Sequence, residues 1–139
     1  MKPRIHRRKL RLEAMILIPM AWLSIRLSPA SRVLAWADRP PRTIRRFADP
    51  DLPTQVAAAV AARAAWFNLE APCLPTALVA QFMLRRRGVA SRLCLGVRRD
   101  GSALEAHAWL EIDGKIVFGA VGGYAPIAQY GGRAAGKPS

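Results

Sequence analysis

Cys73-Leu-Pro-Thr-Ala-Leu-Val-Ala-Gln-Phe-Met-Leu-Arg-Arg-Arg-Gly88 reads as one helix from start to stop. Leu74, Ala77, Leu78 and Phe82 recur at helical spacing. Proline is tolerated only in a helix's first turn, so Pro75 fixes the start close to Cys73. Arg85, Arg86 and Arg87 suit the negative end of the helix, and Gly88 is the expected C-terminal stop. Beyond Gly88 the period changes to two. Leu93, Leu95 and Val97 alternate with Arg92, Cys94 and Gly96, a strand that closes at residues 98–101. A second strand spans 105–112, Asp113-Gly114 supplies a hairpin turn, and 115–118 is the return strand. Counting outward from that turn pairs Ile112 with Lys115 and sets His107 opposite Ala120.

Upstream, the chain is helical in character. Residues 54–68 are alanine-rich, free of Gly and Pro, and end near Trp66-Phe67, a pattern of high helix propensity. Asp49-Pro50-Asp51-Leu52-Pro53 precedes that helix as a break and cap, and Glu70-Ala-Pro72 closes it. Ser28-Pro29 starts a shorter helix, with Ser28 as cap and Pro29 in the first turn; it runs to about Ala37 and is stopped by Pro40-Pro41. Residues 14–25 form an apolar run, expected as an amphipathic or core helix kinked at Pro19. Helices followed by an antiparallel sheet define an α+β fold. The expected organisation is a basic N-terminal helical region over 1–48, a core over 49–130 and a disordered tail over 131–139.

Composition excludes several classes. The 139 residues are 52% hydrophobic and 22% charged, which fits a globular domain rather than a disordered or fibrous chain. No run of eighteen apolar residues suits a spanning helix. The two cysteines, Cys73 and Cys94, are too few for a disulfide scaffold, and no CxxC or Cys/His cluster suggests structural zinc. The net charge is +13, of which +10 falls in residues 1–48. A basic arm before a short apolar run has the outline of a secretory signal. Pro19 inside the run, Arg26 directly after it and Pro29 at the nearest small-residue site argue against one, so a cytoplasmic location is expected. Whether residues 14–25 make a peripheral membrane contact stays open. Arg7-Arg8-Lys9 and the basic cluster at 42–46 lack the aromatic interleaving or motif of a nucleic-acid reader, so solvated surface charge is the favoured reading.

Two residues carry a chemical pattern. Cys73 falls at a helix N-terminus, where unpaired backbone N–H groups favour a thiolate. His107 lies within the second strand, between Ala106 and Ala108. A helix-opening cysteine facing a strand histidine is the arrangement of a thiolate–imidazolium pair, with helix N–H groups available to an oxyanion. Each residue also has a plain structural reading: a buried cysteine packs as a small hydrophobe, and a strand histidine satisfies a hydrogen bond. Cys94, mid-strand, fits the first of these, and His6 in the basic arm carries no site argument. Trp109 and Trp66-Phe67 read as core aromatics before they read as a peptide groove.

The wording of these segments adds to their spacing. Cys73-Leu-Pro-Thr-Ala-Leu, the Arg85-Arg-Arg-Gly88 helix end, and Ala106-His-Ala-Trp-Leu-Glu-Ile-Asp-Gly114 together resemble the lasso-peptide leader proteases. These form the microcin-processing branch of the transglutaminase-like cysteine-protease superfamily. The resemblance implies a papain/transglutaminase-like core with Cys73 as nucleophile and His107 as base, needing no metal or organic cofactor. It implies removal of the leader from a ribosomally made precursor peptide. The partners implied are a separate leader-recognition protein, since the chain has no room for a fused one, and an ATP-dependent asparagine-synthetase-like cyclase. One departure stands out. The family's third residue is usually an acid on the strand after the histidine, whereas Phe118-Gly-Ala-Val-Gly122 has neither carboxylate nor amide. Asp113 is at the turn, too far along to reach the ring; Glu105 and Glu111 share the face of His107, about 7 Å away along the strand.

Overall fold

A computed structural model describes residues 4–39, 51–67, 73–119 and 123–131. Four helices precede four strands: α1 (Arg4–Leu27), α2 (Ala30–Ala37), α3 (Leu52–Phe67), α4 (Cys73–Arg86), β1 (Arg92–Asp100), β2 (Ala103–Ile112), β3 (Lys115–Phe118) and β4 (Ala125–Gly131). The strands form one antiparallel sheet in the order β3-β2-β1-β4. The α+β arrangement expected from the sequence is the one observed. Pro40-Pro41, the basic residues of 42–46, Asp49-Pro50, Asn68, Glu70-Ala-Pro72, Ala120 and residues 132–139 lie outside the described residues.

α4 is the central helix. Its residues from Pro75 to Gln81 are all buried, with Met83 and Leu84. It packs against α1 and α3 on one side and against β1 and β2 on the other. Arginines fill its last turn, and it ends as the sequence predicts, in a Schellman turn. There Gly88 adopts φ +79°, its N–H donates to the Arg85 carbonyl, and the Val89 N–H donates to Leu84 at 2.9 Å. Between helices and sheet lies a core of Leu10, Ala14 and Ile18 from α1, Val56 and Val60 from α3, Leu78 and Leu84 from α4, and Leu93, Ala108 and Leu110 from the sheet.

Gln81 ties three elements together at the C-terminal end of α2. Its Nε2 donates to the Ala37 carbonyl at 2.8 Å and lies 3.3 Å from the Ser91 carbonyl and 3.4 Å from that of Tyr130. Arg85 donates to the same Ala37 oxygen at 3.0 Å. Glu13 of α1 receives Arg86, the last residue of α4, and Arg87 just after it, each at 2.7 Å, and so clamps the first helix onto the end of the fourth.

The structure departs from the sequence expectations in several places. α1 continues through Pro19, which faces solvent, so the basic residues from Arg4 onward and the apolar run belong to one helix. Core contacts on both sides of the proline hold the helix together where Pro19 cannot donate to the Met15 carbonyl. Pro29, rather than Ser28, is the cap of α2, with no side-chain hydrogen bond. α3 begins at Leu52, two residues before the expected start, because Pro53 fits the first turn. β4 lies where the sequence pattern signals no strand, and Gly131, expected in the tail, is instead buried at its end.

Candidate functional site

Cys73 opens α4 and is half-buried, packed against the core on the helical side of the sheet. The turn that follows is closed by Thr76, whose Oγ1 donates to the Cys73 carbonyl at 3.3 Å. At this position the first backbone N–H groups of the helix have no intrahelical acceptors and are directed out of its N-terminal end.

His107 sits near the middle of β2, opposite Gly96 of β1. Alternation along β2 sends Ala108 and Leu110 into the core and His107 and Trp109 to the other face. There the imidazole stacks on Tyr124 with centroids 4.9 Å apart and lies nearly parallel to the Trp109 indole at 6.1 Å. Its Nε2 is 2.7 Å from the Gly119 carbonyl oxygen. Tyr124 is held in turn: its hydroxyl donates to Glu105 at 3.3 Å, and the Arg98 guanidinium lies 4.6 Å above its ring. Arg98 also pairs with Glu105 at 2.6 Å.

The path to Gly119 is set by a bulge. The turn pairs Ile112 with Lys115 as expected, but the register slips between Leu110 and Glu111, so Leu110 faces Phe118 rather than Val117. The pairing of His107 with Ala120 counted from the turn therefore does not follow. Gly119 then turns at φ +80°, and a Cβ there would lie only 3.1 Å from the Ala108 carbonyl and 3.3 Å from Trp109. Only glycine brings the carbonyl this close without strain. A backbone oxygen has no signature in a sequence, so nothing in the residue pattern points to Gly119.

The two carboxylates on the histidine's face are engaged elsewhere. Glu105 binds Arg98 and Tyr124, and Glu111 accepts the Trp109 indole N–H at 2.8 Å. Cys73 and His107 form no hydrogen bond with each other in this structure, and alternation places the imidazole on the sheet face away from the helical layer. Of the aromatics weighed as core or groove, Trp109 is buried while Trp66 is 69% exposed at the end of α3. Cys94 is fully buried, and burial pushes its thiol up to about 12, with the Glu111 carboxylate adding to the effect. It is a packing residue, as the sequence suggested.

An α+β domain whose central helix opens on a cysteine, packed on an antiparallel sheet that carries a histidine, is the arrangement of papain- and transglutaminase-like proteins. The chain belongs to the transglutaminase-like superfamily: the model of that family matches residues 14–129, from within α1 to within β4. This superfamily includes cysteine peptidases. No curated protein and no solved structure matches the chain.

Proposed function

We propose that the protein is a cysteine peptidase that removes the leader from a ribosomally made lasso-peptide precursor. The observation that carries this reading is Cys73 at the first position of the central helix of a transglutaminase-like domain. The string Ala106-His-Ala-Trp-Leu-Glu-Ile-Asp-Gly114 on β2 and its turn supports it, in the order seen in the leader proteases. Cys73 Sγ attacks the amide carbonyl at the leader–core junction. The N–H groups opening α4 receive the oxyanion. His107 accepts the thiol proton and returns it to the leaving amine; water then cleaves the thioester and regenerates the thiol. The partners in this reading are a separate leader-recognition protein that delivers the precursor and an ATP-dependent, asparagine-synthetase-like cyclase that takes the freed core.

The reading requires the thiol and imidazole to come within hydrogen-bond reach when substrate is bound. With His107 on the sheet face away from Cys73, that approach is a rearrangement of the segment carrying the histidine, beyond the tightening of a long hydrogen bond. The separate environments of Cys73 and His107 favour a second reading, a precursor-holding scaffold on the same fold that performs no cleavage. Incubating the protein with precursor and recognition protein, and following released leader by mass, tests the two. The peptidase reading predicts release that Cys73→Ala abolishes. Release unchanged by Cys73→Ala, or no release from any precursor encoded beside the protein, contradicts it.

A further inference from the structure

The outer face of α1 has no covering element among the described residues. Leu10, Ala14 and Ile18 are its buried side, with Leu17, Ala21 and Ile25 packed beside them. Leu12, Ile16, Met20, Leu23 and Leu27, at spacings of four, four, three and four, share the opposite face and are each 51–75% exposed. A helix apolar on both sides is normally buried on both sides. This one leaves a row about 22 Å long in contact with water.

We propose that this row lies in the surface of an anionic lipid bilayer, with α1 parallel to the membrane plane. Charge argues for lipid as the occupant. Arg8 and Lys9 are exposed in the turns leading into the row, four and three residues before Leu12, and Arg26 is exposed at the far end, while Arg7 and Arg11 are exposed on the side toward α3. The helix holds a single acid, Glu13, and its carboxylate is already bound by Arg86 and Arg87, so nothing on α1 opposes anionic headgroups. The row itself offers aliphatic side chains and no hydrogen-bonding group that would fix the orientation of a protein partner. Trp22 lies beside it with the Arg26 guanidinium 4.4 Å over its ring, a pairing of flat apolar surface and cation suited to the headgroup level. No described helix is long and apolar enough to cross a membrane, so the contact is in-plane.

The test is co-sedimentation of the intact protein with vesicles of phosphatidylcholine alone and of phosphatidylcholine with phosphatidylglycerol in equal parts. The protein is expected to partition at least tenfold more strongly onto the anionic vesicles, and less so as salt rises. Arg8→Gln and Lys9→Gln should each weaken partition about fivefold. Ile16→Asn with Leu23→Asn should weaken it at least tenfold, with the thermal melt as a check that the fold persists. Equal recovery with both vesicles, or with neither, overturns the inference. So does a dimer that the Ile16/Leu23 pair dissociates without any lipid binding, which would make the row a contact between chains. Cys73→Ala should bind vesicles as the wild type does, so this inference stands apart from the peptidase reading.

Discussion

The His107 imidazole is anchored by the carbonyl oxygen of Gly119, 2.7 Å from Nε2. A carbonyl only accepts, so in the neutral ring Nε2 carries the proton and Nδ1 is the free base. A backbone oxygen, fixed by the bulge after Leu110 and by the turn at Gly119, thus anchors the ring.

Gly119→Ala is expected to break that anchor. The added methyl meets the Ala108 carbonyl and Trp109, and alanine resists φ +80°. The variant should lose about 1–3 kcal/mol of stability, read from the urea midpoint. The His107 ring resonances should shift in the NMR spectrum as Nε2 loses its partner.

Gln81→Leu should cost about 2–3 kcal/mol in chemical denaturation. The substitution preserves bulk but removes the donor shared by the carbonyls at the end of α2, before β1 and in β4. Retained stability would show that water or Arg85 satisfies those oxygens equally well.

Glu13→Gln should lower stability by about 1 kcal/mol at low salt, because the acceptor of both Arg86 and Arg87 loses its charge. The difference from wild type should shrink as ionic strength rises.

Cys94 should make stability fall in alkali. Its thiol is raised in the folded protein from 9.0 to about 12, so the folded state holds its proton after the unfolded chain has released it. The corresponding stability is complete below pH 9.0 and is lost as pH rises toward about 12. Urea titrations across that range should show a steeper loss in wild type than in Cys94→Ala.

The parts legible in the sequence are those fixed by local chemistry. Pro75 and Gly88 bracket α4, and Asp113-Gly114, both at positive φ, make the hairpin turn. The parts that were not legible depend on distant partners. β4 contains Pro126, which reads against a strand, yet an edge position beside β1 tolerates it. The slip between Leu110 and Glu111 cannot be counted from a two-residue turn, and it decides which backbone group meets His107. Helical periodicity places residues 14–25 on a helix but does not show that one apolar side finds the core and the other does not. Residue type and order single out Cys73 and His107 as candidates, but not the faces they occupy, because that depends on which side of β2 the helices cover.

Alkylation by iodoacetamide at mildly acidic pH, with each cysteine followed by peptide mass, reads whether Cys73 is an activated nucleophile. Cys73 should be modified at least tenfold faster than Cys94, which is fully buried, and faster than a free thiol, because it opens α4. Modification of Cys73 at the rate of a free thiol or below would mean that it is not.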